Sequence, residues 1–465
     1  MQLSPFINFS VCIALFFTCF DIASKTECSI GHENSFICES NAFEFGSKEW
    51  IKQKLETYPE LTWLAEKDVL MTHDYTAKGD NSYSQDLFRK QYVEFDRTLL
   101  ALEFFHRTLR GSKVDYEWLV KNQNPSQKLT LKSFHELHNF LVNEINNIDT
   151  QLFELAIVLG DMGKSQKARK LAPEISKKNS DQDAFYGQVI RLKPEIFPSF
   201  QGLSEKQKLV LQRGAHLIHF GHVTHLEGNS SMFLPLKDSK ILNSQAGVIA
   251  FNIEFLTHMC DVAGAAGHVN RQGSIVLTEP TYLRLKNVYD AALMLREKSP
   301  DDALNAYLKW SAHWLGQNLI TKEDEVVIRI ASMMRLSDKD DTLLVKKSLE
   351  ECPQEYRDLI LEMFAFDALE RPIETPTYIP AVLSNLSKNK SLDEDSKKRI
   401  RMSVQLGALA IARALKFAKK NSLFQSGNII LNFNPMASQA KQADALTLFT
   451  QENFEMSDLG DIKFK

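Results

Sequence analysis

Apolar residues recur at steps of three and four through most of this chain, a period that buries one face of a helix and suits little else. KEWIKQKLETYPELTWLAEKDVLM and QDLFRKQYVEFDRTLLALEFFHRTLRG both follow it, with Gly111 placed as a C-cap for the second. Ser204 and Gln207 form a capping-box pattern that opens SEKQKLVLQRGAHLIHFGHVTHLEG. Glycine and proline number only 19 and 14 in 465 residues, which favours long helices over many turns. Alternating β-branched runs are scarce, so the expected class is all-α.

The charge balance excludes one large class of function. With 55 basic and 59 acidic residues the net charge is −4, and no nucleic-acid-binding surface is evident. The apolar stretch Phe6 to Phe20, followed by Ala23 and Ser24, has the form of a secretory signal peptide. A mature chain beginning after Ser24 would be secreted or periplasmic. No later segment is long and apolar enough to read as a membrane span. Cys28 and Cys38 flank a short polar loop and could pair in such an oxidising compartment, whereas Cys260 reads equally well as a buried thiol.

Chemistry concentrates in one stretch. Six of the twelve histidines are His216, His219, His222, His225, His258 and His268, with Asp261 among the last three. Imidazole and carboxylate are the usual ligands of catalytic divalent metals. His222 with His225, and His258 with Asp261, stand three apart and so share a helix face. Four histidines spaced by three drift around a helix, so at most two or three of that run can serve one ion; His216 and His219 read better as core or surface residues. Gly264 and Gly267 would permit a bend that returns His268 towards His258 and Asp261. Upstream, LAIVLGDMGKS places Asp161 and Lys164 at a helix end, with His135 and His138 one long helix earlier. Walker, Gly-x-Ser-x-Gly and Gly-x-Gly-x-x-Gly patterns are missing, and the His135–His138 spacing is one residue short of a zincin's.

This order of elements resembles the HD-domain metal phosphohydrolases: a histidine, an Asp-x-Gly-Lys element, further histidines, then a final aspartate. The resemblance covers roughly residues 130 to 270. It implies an HD-type helical bundle holding one or two divalent metal ions, with His138, Asp161, Asp183, His222, His225, His258, Asp261 and His268 as the candidate ligands. Asp161 and Lys164 would take catalytic roles, Lys164 by clamping a phosphate oxygen. Asp181 and Asp183, in DQDAF, lie where two-metal members carry additional ligands. Gly160 stands where the family's doublet has histidine, and the only literal doublet in the chain is His73–Asp74, an alternative assignment.

Two functions follow as expectations. One is a metal-dependent hydrolase of phosphoester or phosphodiester bonds, acting on a phosphorylated small molecule or nucleotide. The other is an exported, non-catalytic helical protein that binds a partner through a degenerate HD-like scaffold. The expected organisation is a signal peptide over 1–24, an HD-like domain over 48–281, a C-terminal helical region over 282–425 and a loosely ordered tail over 426–465.

Overall fold

A computed structural model of the chain describes residues 27–30, 36–39, 43–66, 81–146, 148–179, 181–364, 377–420, 431–457 and 460–465. The signal segment and the His73–Asp74 doublet fall outside the described residues. The chain divides into Met1–Glu44 and Phe45–Lys465. In the first unit, strands Glu27–Ile30 and Phe36–Glu39 pair antiparallel with Cys28 opposite Cys38.

The second unit is helical, as the period requires, and the described structure is mostly helix, 70% against 2% strand. Its helices begin where the sequence supplies caps. Ser82, Ser112, Ser204, Ser299 and Thr321 each close a full capping box, which satisfies backbone N–H groups that the first turn leaves without partners. The helix Val93–Arg110 ends at Gly111 with φ +67°, the left-handed C-cap expected there.

At the centre lies the helix Gln245–Gly264, which packs against Val93–Arg110, Thr150–Gly160 and Glu205–Gly214. Length and composition would let it cross a membrane, but neighbours on several sides already account for its apolarity. Phe251, Ile253, Phe255, Leu256 and Met259 are buried. The helix ends at Gly264 and the chain turns through residues 265–269. The two glycines also permit close approach: an added Cβ at Gly264 would lie 2.3 Å from the Arg97 carbonyl oxygen, and one at Gly267 2.4 Å from that of Asp96. The missing side chains let the end of the central helix press directly on the Val93–Arg110 backbone.

Buried apolar side chains form two cores. The larger runs from Trp50 to Leu315 and takes in Ile328 and Ala331. The smaller starts at Val326 and extends to Phe464. The helices Glu279–Leu293 and Pro300–Trp314 therefore belong with the N-terminal core, and the change of core comes well after residue 282. The last residues also differ from the loose tail expected of their polar composition. Leu431, Phe433, Met436, Phe449, Phe454, Ile462 and Phe464 are buried, and the strands Phe454–Met456 and Ile462–Phe464 pair antiparallel. Few apolar residues suffice because most of them point inward.

Candidate functional site

The capping box at Ser204 opens a helix, but that helix stops at Gly214 rather than running through all four histidines. His216 adopts φ +50°, a conformation a helix cannot hold, and the next helix is only Phe220–Thr224. The break gathers the histidines instead of dispersing them. His219 caps the new helix, its Nδ1 accepting the His222 backbone N–H at 3.3 Å. Its Nε2 faces Asp183 Oδ2 at 2.9 Å, and the His222 ring packs on the His219 ring at 3.4 Å between centroids.

Asp183 lies in the first turn of the helix Gln182–Leu192, and Asp181 is that helix's N-cap. One Asp181 oxygen accepts the backbone N–H groups of Asp183 and Ala184 at 3.0 and 2.8 Å, leaving the second oxygen for a cation. One ligand atom from each of Asp181, Asp183 and His219 falls within 4.8 Å of the others. This is an oxygen and nitrogen donor set without thiolate, of the kind that divalent ions such as Mn²⁺, Fe²⁺ or Zn²⁺ accept. The cap is compatible with an ion, because Nδ1 keeps its lone pair for the His222 N–H whether Nε2 carries a hydrogen directed at Asp183 or a cation.

The central helix lines the same region. Glu254 accepts the His216 backbone N–H at 3.1 Å; burial and the nearby Asp183 push its carboxyl up to about 8, although the bond from His216 works against them. Burial and the His219 charge bring His258 down to about 4, while Asp183 opposes that shift; its ring stacks on Phe220 at 5.4 Å. Glu227 accepts the Ile379 backbone N–H at 2.6 Å and lies 3.7 Å from His222 Nε2. Tyr378 brings the second core to the site, its phenol pushed up by burial and by the charges of Asp183 and Asp181. His216, Leu226 and Tyr378 all hold φ of +50° or more without being glycine. Such conformations cost free energy and collect at functional sites.

A second polar cluster borders the first. Lys164 Nζ lies 2.5 Å from Asp161 Oδ1 and 2.8 Å from Glu94 Oε2. Thr98 donates to Asp161 Oδ2 at 2.6 Å, and Arg97 bridges Glu94 at 3.0 Å and Asp261 at 3.2 Å. Gly163 seats this turn, because a Cβ there would fall 2.0 Å from the Gln182 carbonyl oxygen. Asp161 and Asp261 interact, and burial raises the carboxyl of Asp261, but the charge between them comes from Arg97 and Lys164. Asp161 and Lys164 thus belong to an ion-paired network with Glu94 and Arg97.

The remaining candidates part company for physical reasons. His138 Nδ1 bonds the Thr108 carbonyl oxygen at 2.8 Å, tying two helices together. His268 lies among the charges of Arg97 and Glu94. His225 turns to the far side of its short helix, where burial and then Arg335 and Arg284 hold it well below the usual histidine range. His222 and His258 line the site without belonging to the triad. Glu254, Glu227 and Arg97 were not singled out from the sequence, whereas Asp181 was named beside Asp183 but left out of the ligand set, and His219 was read as a core or surface residue. Only Glu254 carried a local signal, one helical turn before His258 on the same face.

The fold and site define an all-α protein with a half-buried carboxylate–imidazole cluster. The chain belongs to DUF6829, a family of unknown function whose profile matches residues 51–439. No curated protein and no solved structure matches it.

Proposed function

We propose that the chain is a metal-dependent hydrolase of phosphoester or phosphodiester bonds, its divalent ion held by Asp181, Asp183 and His219. The convergence of those three ligand atoms within 4.8 Å carries the reading. A divalent ion held there would make hydroxide available near neutral pH and offset charge developing on a phosphoryl oxygen. Glu254, with its proton affinity near neutrality, is the group suited to accept and return a proton. His258 stays neutral, and Tyr378 closes the region from the second core.

Metal content of the purified chain tests this directly. About one divalent ion per chain is expected, with Asp183→Asn and His219→Ala each weakening Mn²⁺ or Zn²⁺ binding by roughly 100-fold or more in calorimetry. Asp161→Asn should leave that affinity unchanged. Metal-free wild type, or binding lost in Asp161→Asn alone, would overturn the assignment.

A second reading has its own support. Arg97 and Lys164 neutralise the acids at which the HD resemblance places a metal. An HD-type scaffold whose original centre is filled by its own cations would suit an exported partner-binding protein. Export, secreted or periplasmic, belongs to both readings. N-terminal sequencing of protein from its native source should find the residues up to about Ser24 missing, and an intact Met1 would end that part of the proposal.

A further inference from the structure

On the far side of the short helix Phe220–Thr224, positive charge collects with no carboxylate paired to it among the described residues. Arg284, on the helix Glu279–Leu293, is 5% exposed. Among the described residues its guanidinium has one acceptor, the Leu336 carbonyl oxygen, and no acidic partner. The residue before Leu336 is Arg335, which is exposed and likewise has no ion pair among the described residues.

Arg335 occupies an unusual place for an arginine. The helix Lys322–Met333 closes with the Leu336 N–H on the Ala331 carbonyl oxygen at 2.9 Å and the Arg335 N–H on that of Ser332 at 3.0 Å. That termination puts Arg335 at φ +62°, a position that favours glycine. A long cationic side chain kept there against its backbone preference calls for a reason outside helix termination. Lys388, the last residue of the helix Ile379–Lys388, is exposed nearby, and burial, then Arg335 and Lys441, lower its ammonium. His225 feels the charges of the same two arginines and bonds the Ser332 backbone beside them. Its Nδ1 is buried with no hydrogen-bond partner.

We propose that Arg284, Arg335, Lys388 and His225 form an anion site that takes the phosphate group of a small phosphorylated molecule. Three segments bring the like charges of Arg284, Arg335 and Lys388 together beside the neutral His225, an arrangement that repels itself until an anion neutralises it. Guanidinium groups offer paired N–H donors that match phosphate oxygens in two-pronged fashion. The exposed Arg335 and Lys388 give entry, while Arg284 and His225 form the deeper wall. This site does not depend on the metal reading, because it shares no ligand with Asp181, Asp183 and His219.

The test is thermal unfolding of the full chain with added inorganic phosphate, chloride being adjusted to hold ionic strength constant. Phosphate should raise the wild-type midpoint by several degrees in a saturable way. Arg335→Gly should raise the midpoint without phosphate, since it relieves the left-handed backbone, yet abolish the phosphate-dependent rise. Calorimetry should show its phosphate affinity at least tenfold weaker. His219→Ala should keep the rise, which separates this site from the metal centre. A wild type that does not respond, or an Arg335→Gly chain that responds like wild type, would overturn the proposal.

Discussion

Replacing Lys164 with methionine should destabilise the protein by about 3–5 kcal/mol, the usual cost of leaving a buried ion pair without one partner. Methionine nearly fills the space, so packing loss contributes little. The ammonium lies 2.5 Å from Asp161 and 2.8 Å from Glu94, and its removal leaves two buried carboxylates sharing only Arg97 and the Thr98 hydroxyl. The pH dependence identifies the cause. Burial alone would raise Glu94, but Lys164 and Arg97 hold it at about 2, against 4.5 for the free carboxyl. Its contribution is thus fully present above pH 4.5 and disappears as pH falls through about 2. In the variant, burial prevails and Glu94 takes up its proton at higher pH. The deficit measured by denaturant unfolding should be largest near pH 7 and shrink below pH 5. An equal deficit at both would mean that the ion pair is not its origin.

Glu227→Gln should act in the opposite direction. Burial pushes this carboxyl up to about 8 from 4.5, with the Ile379 N–H and the charge of His219 opposing. The folded state therefore holds the proton more tightly than the unfolded chain. Glu227 favours folding below pH 4.5, and that advantage is lost as pH rises through about 8. Glutamine keeps an acceptor for the Ile379 N–H and stays neutral throughout. Variant and wild type should match near pH 5. By pH 8.5 the variant should be more stable by a few kcal/mol, since each pKa unit corresponds to about 1.4 kcal/mol. If the variant loses stability between pH 5 and 8.5 as wild type does, the neutral Glu227 carboxyl is not the source.

The helical class was legible because burial on one face writes a period into the sequence, and the caps at Gly111 and Ser204 stood where the rules place them. The pairing of Asp161 with Lys164 at a helix end was also legible, since the two lie three residues apart. The metal-type centre was not. Reading His216 to His225 as one helix set aside His219, whose value comes from the break at His216. That break is a backbone conformation with no residue signature, as histidine is not the residue expected at positive φ. Arg97 escaped notice for another reason. Its partner Asp261 lies 164 residues away, and only the close approach at Gly264 and Gly267 brings the two together. The tail misled through composition, which counts polar residues without seeing that the few apolar ones share an interior.

Glu254, His258 and Asp261 ride on one rod, at successive steps of four and three residues. They span about 10 Å along the Gln245–Gly264 axis, at 1.5 Å per residue, and all look the same way. The proton-handling carboxyl, the neutral imidazole and the Arg97-paired acid therefore share a single mechanical coordinate. A slide or twist of this helix would move all three in concert, and none could be retuned by a local loop adjustment. Because the end of the rod presses on the Asp96 and Arg97 backbone, a disturbance of the Arg97 network would be felt three turns away, opposite Asp183. The chain thus carries a lever whose two ends reach the ion-paired cluster and the metal-type centre.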